Sequence, residues 1–221
     1  NPLFWTSHNA LAFFEPGRVS SYAAVYINHK KSLYFIALVP GEPLRSRVRR
    51  LKQEMASRFG ASHALKSPAH ITLRMPFRRA EAGEQALIGA LQQFTSAGEA
   101  LTIRLSGFDA FPPRVIFLKV LDHDPLADLH AKLQEHLKIT LGFPAPAKAL
   151  PFHPHMTIAT RDLSEASFHR AWPGFSDRPF EAAFRAESLF LLKHNGKAWD
   201  LYREFTFSPG ADPGERQAPF S

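Results

Sequence analysis

Two short stretches decide how this chain reads: Pro68-Ala69-His70-Ile71-Thr72-Leu73-Arg74 and His153-Pro154-His155-Met156-Thr157-Ile158-Ala159-Thr160-Arg161. Both run His-apolar-Thr-apolar. In an extended chain, successive side chains point to opposite faces. His70, Thr72 and Arg74 then share one face, while Ile71 and Leu73 turn the other way into a core. In the second stretch His153, His155, Thr157, Ala159 and Arg161 share a face and Met156 and Ile158 are buried. A polar stripe backed by an apolar one is what a strand facing a cleft requires. A chain with 11 histidines carries about 0.4 copies of His-x-Thr by chance, so a matched pair with apolar flanks is a signal.

The segments around the two motifs repeat in the same order. Leu33–Val39 is β-branched and aromatic and is closed by Pro40-Gly41, which predicts a strand. Over Pro43–Phe59, Leu44, Val48, Leu51, Met55 and Phe59 fall at helical spacing, and Gly60 ends the helix. A strand at His70–Met75, a helix at Ala80–Phe94 and a strand at Leu101–Leu105 follow. The order then returns: a strand at Arg114–Val120, a helix at Pro125–Ile139, a strand at His155–Thr160 and a short helix at Ser164–Trp172. Two last strands, Leu189–Lys193 and Trp199–Phe207, are joined at Asn195-Gly196. Matching elements lie roughly 81 to 85 residues apart. The expected architecture is α+β and bilobal. Repeats of about 33–107 and 114–207 form two similar lobes within one domain, 32–207, with antiparallel-rich sheets lining a central cleft and helices outside.

Length and composition agree. The chain has 221 residues, is 45% hydrophobic and contains 20 Phe, enough for an aromatic core in one large domain. No apolar run approaches the ~18–20 residues of a membrane-spanning helix, so no membrane partner is expected. With no cysteine, disulfide scaffolds, Cys-based zinc sites and thiol catalysis are excluded, and a reducing, cytoplasmic setting is expected. The net charge of +7 favours phosphate-bearing partners at long range. Residues 1–31 have neither a basic n-region nor a sustained apolar h-region and are expected to be an extension rather than a signal peptide. Residues 208–221, rich in Pro, Gly and charge, are expected to be a disordered tail.

The doubled motif resembles that of the two-histidine (2H) phosphoesterase superfamily, and within it the bacterial and archaeal 2'-5' RNA ligase family, also called LigT-like RNA 2',3'-cyclic phosphodiesterases. The stretches SLYFIALVP, KSPAHITLRMPF and FHPHMTIATRDL carry the resemblance, which spans about residues 32–207. It implies a pseudo-twofold fold with the motifs facing across the cleft, no metal or other cofactor, and RNA ends or small cyclic nucleotides as substrates. A monomer is expected.

The residue types suit in-line displacement at phosphorus. One imidazole takes a proton from the nucleophile and the other gives one to the leaving oxygen, because an unperturbed pKa of about 6.5 allows both roles. The Thr72 and Thr157 hydroxyls, two residues on, can bond the non-bridging oxygens. With a 2',3'-cyclic phosphate and water, the resemblance implies departure of the 3' oxygen, a 2'-phosphate product, His70 as proton donor and His155 as proton acceptor. Arg74 and Arg161 are in phase with their motifs and are candidates for binding substrate phosphate. Phe117 shares with Val115 and Lys119 the face of its strand opposite Ile116, Leu118 and Val120; it is a candidate for base stacking if that face lines the cleft, with core packing the alternative. His153-x-His155 has two-ligand metal spacing, but no clear third ligand accompanies it although Asp162 is near, so His153 is read as a substrate contact. The basic run Arg45, Arg47, Arg49, Arg50 and Lys52 is read as a solvated helix face. Hydrolysis and 2'-5' ligation share a transition state, and the sequence does not separate them. A nucleotide-binding module without turnover and a metal-dependent phosphodiesterase are the other readings.

Overall fold

The computed structural model describes residues 30–144 and 151–208. Its elements in chain order are β1 (Lys31–Leu38), α1 (Leu44–Phe59), β2 (Ile71–Ala80), α2 (Glu84–Ser96), β3 (Leu101–Phe111), β4 (Val115–Val120), α3 (His123–Leu141), β5 (His155–Ala159), α4 (Glu165–Ala171), β6 (Glu181–Ala186), β7 (Ser188–His194) and β8 (Trp199–Thr206). One-turn helices precede β2 at His63–Lys66 and follow α4 at Trp172–Gly174. Most of the extension expected at 1–31, and the tail beyond Ser208, lie outside the described residues. Lys31 already belongs to β1, and Ser208 still bonds the backbone of Thr95 and Ser96.

Helix α1 forms because its apolar residues recur on one side. Leu44, Val48, Leu51 and Met55 are buried, and Gly60 closes the helix with φ 73°, donating to the Ala56 carbonyl. That left-handed conformation is open to glycine at little cost. Lys52 departs from the expected solvated face: it sits on the buried stripe, 2% exposed. In α3, Leu126, Leu129, Leu133 and Leu137 make the same kind of stripe. On α4, Ser164 caps the helix by accepting from the Ser167 N–H.

The strands form two antiparallel four-stranded sheets, β2-β1-β7-β8 and β5-β4-β3-β6. In each, the strand that carries or follows a His-x-Thr motif lies at an edge. The lobes are not the contiguous halves read from the repeat. β3 leaves the first half to pair with β4 and β6, and β7 and β8 leave the second half to complete the sheet of β1 and β2. Each sheet thus contains strands from both repeats, β7 and β8 in the first and β3 in the second. β6 has no counterpart in the sequence reading, and β3 runs on past Leu105 through an irregularity at Gly107, where φ is 63°. That break in alternation hides the strand's second half from a periodicity reading.

Central strand β1 is buried on both sides. Tyr34, Ile36 and Leu38 join the main core with Ile116, Leu118, Leu133 and Met156, while Phe35 and Ala37 pack with Leu192 on the opposite face. This second face looks into the cleft.

Behind the first sheet, Glu84 at the start of α2 accepts from Tyr34 and Tyr202 and pairs with Lys193 Nζ at 2.7 Å. Burial on its own would raise the Glu84 pKa, but the bonds from Lys193, Tyr202 and Tyr34 outweigh it and lower the pKa to about 2. A depressed carboxyl pKa stabilises the fold above the unfolded value, near 4.3, and that contribution is lost as pH falls towards the folded value. Glu84→Gln should cost about 1–3 kcal/mol at pH 7. Its deficit against wild type should shrink between about pH 4.5 and 2, as urea unfolding midpoints would show.

Candidate active site

The site begins with the backbone before each motif. His70 Nδ1 lies 2.8 Å from the Pro68 carbonyl oxygen, and His155 Nδ1 lies 2.7 Å from that of His153. A carbonyl can only accept, so both Nδ1 atoms carry the proton and both Nε2 atoms are left for chemistry. Each ring also rests on a phenylalanine from the neighbouring central strand. Phe35 of β1 lies 4.8 Å from His70 at 47°, and Phe117 of β4 lies 4.8 Å from His155 at 50°. The two halves therefore repeat not only the motif but also its carbonyl anchor and its aromatic floor.

His70, Thr72, His155 and Thr157 line one cavity of about 290 Å³, near the lower end of ligand-binding volumes. Neither threonine hydroxyl bonds to protein among the described residues. Burial lowers the pKa of both histidines. For His70 the nearby Lys52 ammonium adds to the effect and takes it to about 4. For His155 the bond to the His153 carbonyl partly offsets burial. Both rings are therefore neutral at pH 7 in the free protein.

Arg161 also lines the cavity, and Lys66 and His63 join it from the one-turn helix before β2. Arg161 and Lys66 have no ion-pair partner among the described residues. Arg161 adopts φ 53°, a left-handed conformation that costs a non-glycine residue of order 1–3 kcal/mol. The next residue, Asp162, explains how it is held. Its Oδ2 accepts from Ser62 N at 2.9 Å, Ser62 Oγ at 3.1 Å and His63 N at 2.8 Å. One carboxylate thus fixes the end of the second motif to the segment leading into the first.

Three expected contacts fall elsewhere. Arg74 does not line the cavity. Between Ala37↔Thr72 and Ile36↔Arg74, β2 advances two residues for one of β1, so the bulge breaks the alternation. Arg74 instead lies over the Phe143 ring at 4.9 Å and donates to Gln134. Met75 and Pro76 take its place at the cavity. Phe117 is 1% exposed, so it supports His155 and cannot stack on a base. His153 is exposed and lies outside the cavity; it acts on the site through its carbonyl, while its ring packs on Phe111 and His123.

Sequence reasoning missed Trp199, Phe35 and Phe111, which supply the cavity's aromatic wall, and the pair His63 and Lys66. Only the placement of His63 and Lys66 seven and four residues before His70 hints at their role. Among the described residues no group of three or more His, Asp or Glu is arranged to hold a metal ion, and no helix is long and apolar enough to cross a membrane.

Comparison with known proteins bears on the fold and the family. A Geobacillus thermodenitrificans protein named as a candidate phosphoesterase is 31% identical over 176 residues, covering 78% of this chain and 94% of that protein. A similarly named protein from Geobacillus sp. strain WCH70 is 27% identical over the same length and shares of each chain. Among solved structures, a Thermus thermophilus protein superposes with a TM-score of 0.60 at 20% identity, covering 81% of this chain and all of the other. Escherichia coli LigT, solved with 3'-AMP, gives 0.57 at 17% identity, covering 81% and 99%. These likenesses establish the LigT-like α+β fold. Residues 40–198 match the sequence profile of the 2'-5' RNA ligase superfamily, and the chain belongs to that superfamily.

Proposed function

We propose that the cleft hydrolyses 2',3'-cyclic phosphodiesters at RNA or nucleotide ends to a 2'-phosphate, without a metal ion. One observation carries the reading: two neutral imidazoles with free Nε2 atoms share a cavity with two unbonded threonine hydroxyls and two unpaired cations. A phosphodiester presents what this set lacks, an anion with non-bridging oxygens to accept hydrogen bonds. Escherichia coli LigT has been solved with 3'-AMP, ATP, NADP+ and phosphate, which supports a nucleotide or RNA end as the ligand class. Trp199 and Phe111 take the base-stacking role that the buried Phe117 cannot.

In the proposed reaction water attacks phosphorus, and His155 Nε2 takes its proton. The bond from phosphorus to the 3' oxygen breaks, and His70 Nε2–H protonates that oxygen. Thr72 and Thr157 bond the non-bridging oxygens as charge builds, with Arg161 and Lys66 beside them. The more depressed pKa belongs to His70, which makes its imidazolium the stronger acid. His155, less depressed, is the stronger base. That division suits a poor leaving group, at the expense of a small population of the reactive protonation state in the empty cleft. Substrate anion entering the cleft raises both pKa values.

The first experiment is incubation with a 2',3'-cyclic nucleotide and a cyclic-phosphate-ended oligoribonucleotide in EDTA, with products followed by ³¹P NMR. A 2'-monoester is expected from wild type, with kcat lower by about 10²–10⁴ in His70→Ala and His155→Ala. Thr72→Ala or Thr157→Ala should cost about 10²-fold. Normal turnover by the His70→Ala, His155→Ala double variant would sink the two-histidine mechanism. Nucleotide binding without turnover would make the cleft a binding module.

The pH profile gives a separate check. Because both free-enzyme histidine pKa values are lowered, kcat/KM should follow a bell that peaks between them, below pH 6.5, and falls on either side. The optimum of kcat, set in the anion-occupied cleft, should lie at higher pH. A diester with an activated leaving group needs no acid, so His70→Ala should retain its turnover of that ester and His155→Ala should not. The reverse pattern would exchange the two roles.

A further inference from the structure

The buried face of α1 carries a charge the mechanism above does not use. Lys52 lies between Leu51 and Met55 on the apolar stripe, 2% exposed. A methionine would fill such a position without the desolvation that burying an ammonium entails. Lys52 Nζ instead donates to the Ser67 and Pro68 carbonyls, both at 3.0 Å. The Pro68 carbonyl is the same one that accepts from His70 Nδ1. One oxygen therefore joins a buried lysine behind the cleft wall to the imidazole in front of it. The second motif has no such support: the His153 carbonyl receives only His155 Nδ1 among the described side chains.

We propose that Lys52 is a positioning residue for His70, clamping the Ser67 and Pro68 carbonyls so that the acceptor that orients the imidazole cannot swing away. It rests on the phosphodiester reading only for its kinetic consequence. Without Lys52, the Ser67–Pro68 segment would be held from the helix side by packing alone. The His70 ring could then turn, and either nitrogen could face the cleft.

The charge has a second effect in the same direction. Burial and Arg49 hold Lys52 down to about 7, and its cation disfavours protonation of His70. The other titratable and charged groups on this side include His63 and Lys66 on the one-turn helix, Asp162 bonded to it, Arg161 beside them and His155 on β5. Glu165, His169 and Arg170 of α4, the helix packed beside α1, are exposed.

The test is ¹⁵N NMR of the imidazoles in the ligand-free protein, which needs no turnover. In wild type, His70 should hold the Nδ1–H tautomer and titrate well below His155. In Lys52→Met, His70 should become a mixture of tautomers with its midpoint moved upward, while His155 stays unmoved. Lys52→Arg should restore the single tautomer. With a cyclic nucleotide, Lys52→Met should lower kcat about 10–100-fold and leave KM within about twofold, the pattern of a misplaced group rather than lost binding. A folded Lys52→Met protein with an unchanged His70 tautomer and midpoint would overturn the proposal. Should that variant not fold, wild type decides: a mixture of His70 tautomers would overturn it as well. Absence of turnover in wild type would count against the phosphodiesterase reading and leave the NMR result standing.

Discussion

The cleft depends on one hydrogen bond made twice, from an imidazole Nδ1–H to the carbonyl two residues earlier. That bond decides which nitrogen is available, because the tautomer follows from what Nδ1 touches. It also ties the ring to the backbone segment that leads into β2 or β5. The strand that follows holds that segment at its far end, and the strand in turn is fixed by its sheet. The phenylalanine floors, Phe35 and Phe117, complete the placement by filling the space into which each ring could otherwise tilt.

The sheets make the two anchors a single device. Each motif strand is an edge strand, and each is paired with an internal strand, β1 or β4, that carries the phenylalanine under its histidine. The exchange of β3 against β7 and β8 means that neither half can complete its sheet alone. The single core reaching from Tyr34 through Leu118 to Leu191 is the packing consequence. Asp162 adds a polar link at the mouth, joining residues a hundred positions apart. The separation of His70 from His155 is thus set by the whole core rather than by a hinge.

Much of this was legible because local rules carried it. The two-residue period of a strand placed His70 with Thr72 and His155 with Thr157, and the helical stripes of α1 and α3 stand where their leucines predicted them. What escaped has physical reasons. Arg74 was lost to a bulge, and a bulge is set by pairing with β1, not by the residues of β2 alone. Alternation gives the side of the strand on which Phe117 stands but not what lies above it, and the ring is buried beneath His155. Lys52 was read as one member of a basic run, although the stripe of Leu44, Val48, Leu51 and Met55 already put it on the inner side. Trp199 and Lys66 reach the cavity through non-local folding and share no motif with it. The exchanged strands were hidden for the same reason, as periodicity shows a strand without naming its neighbour.

The electrostatics of the empty cleft then acquire a purpose. A site built only to hold protonated histidines would surround them with carboxylates. Here burial keeps both rings neutral, Lys52 adds a positive field behind His70, and Arg161 and Lys66 stand unpaired at the front. The arrangement is unfavourable to imidazolium until an anion arrives. A phosphodiester supplies the negative charge that satisfies the cations and, by the same Coulomb interaction, makes a proton on one imidazole acceptable. On the proposed reading, ligand entry and acid–base readiness are one event: the anion that would be cleaved is also the charge that makes an imidazolium acceptable.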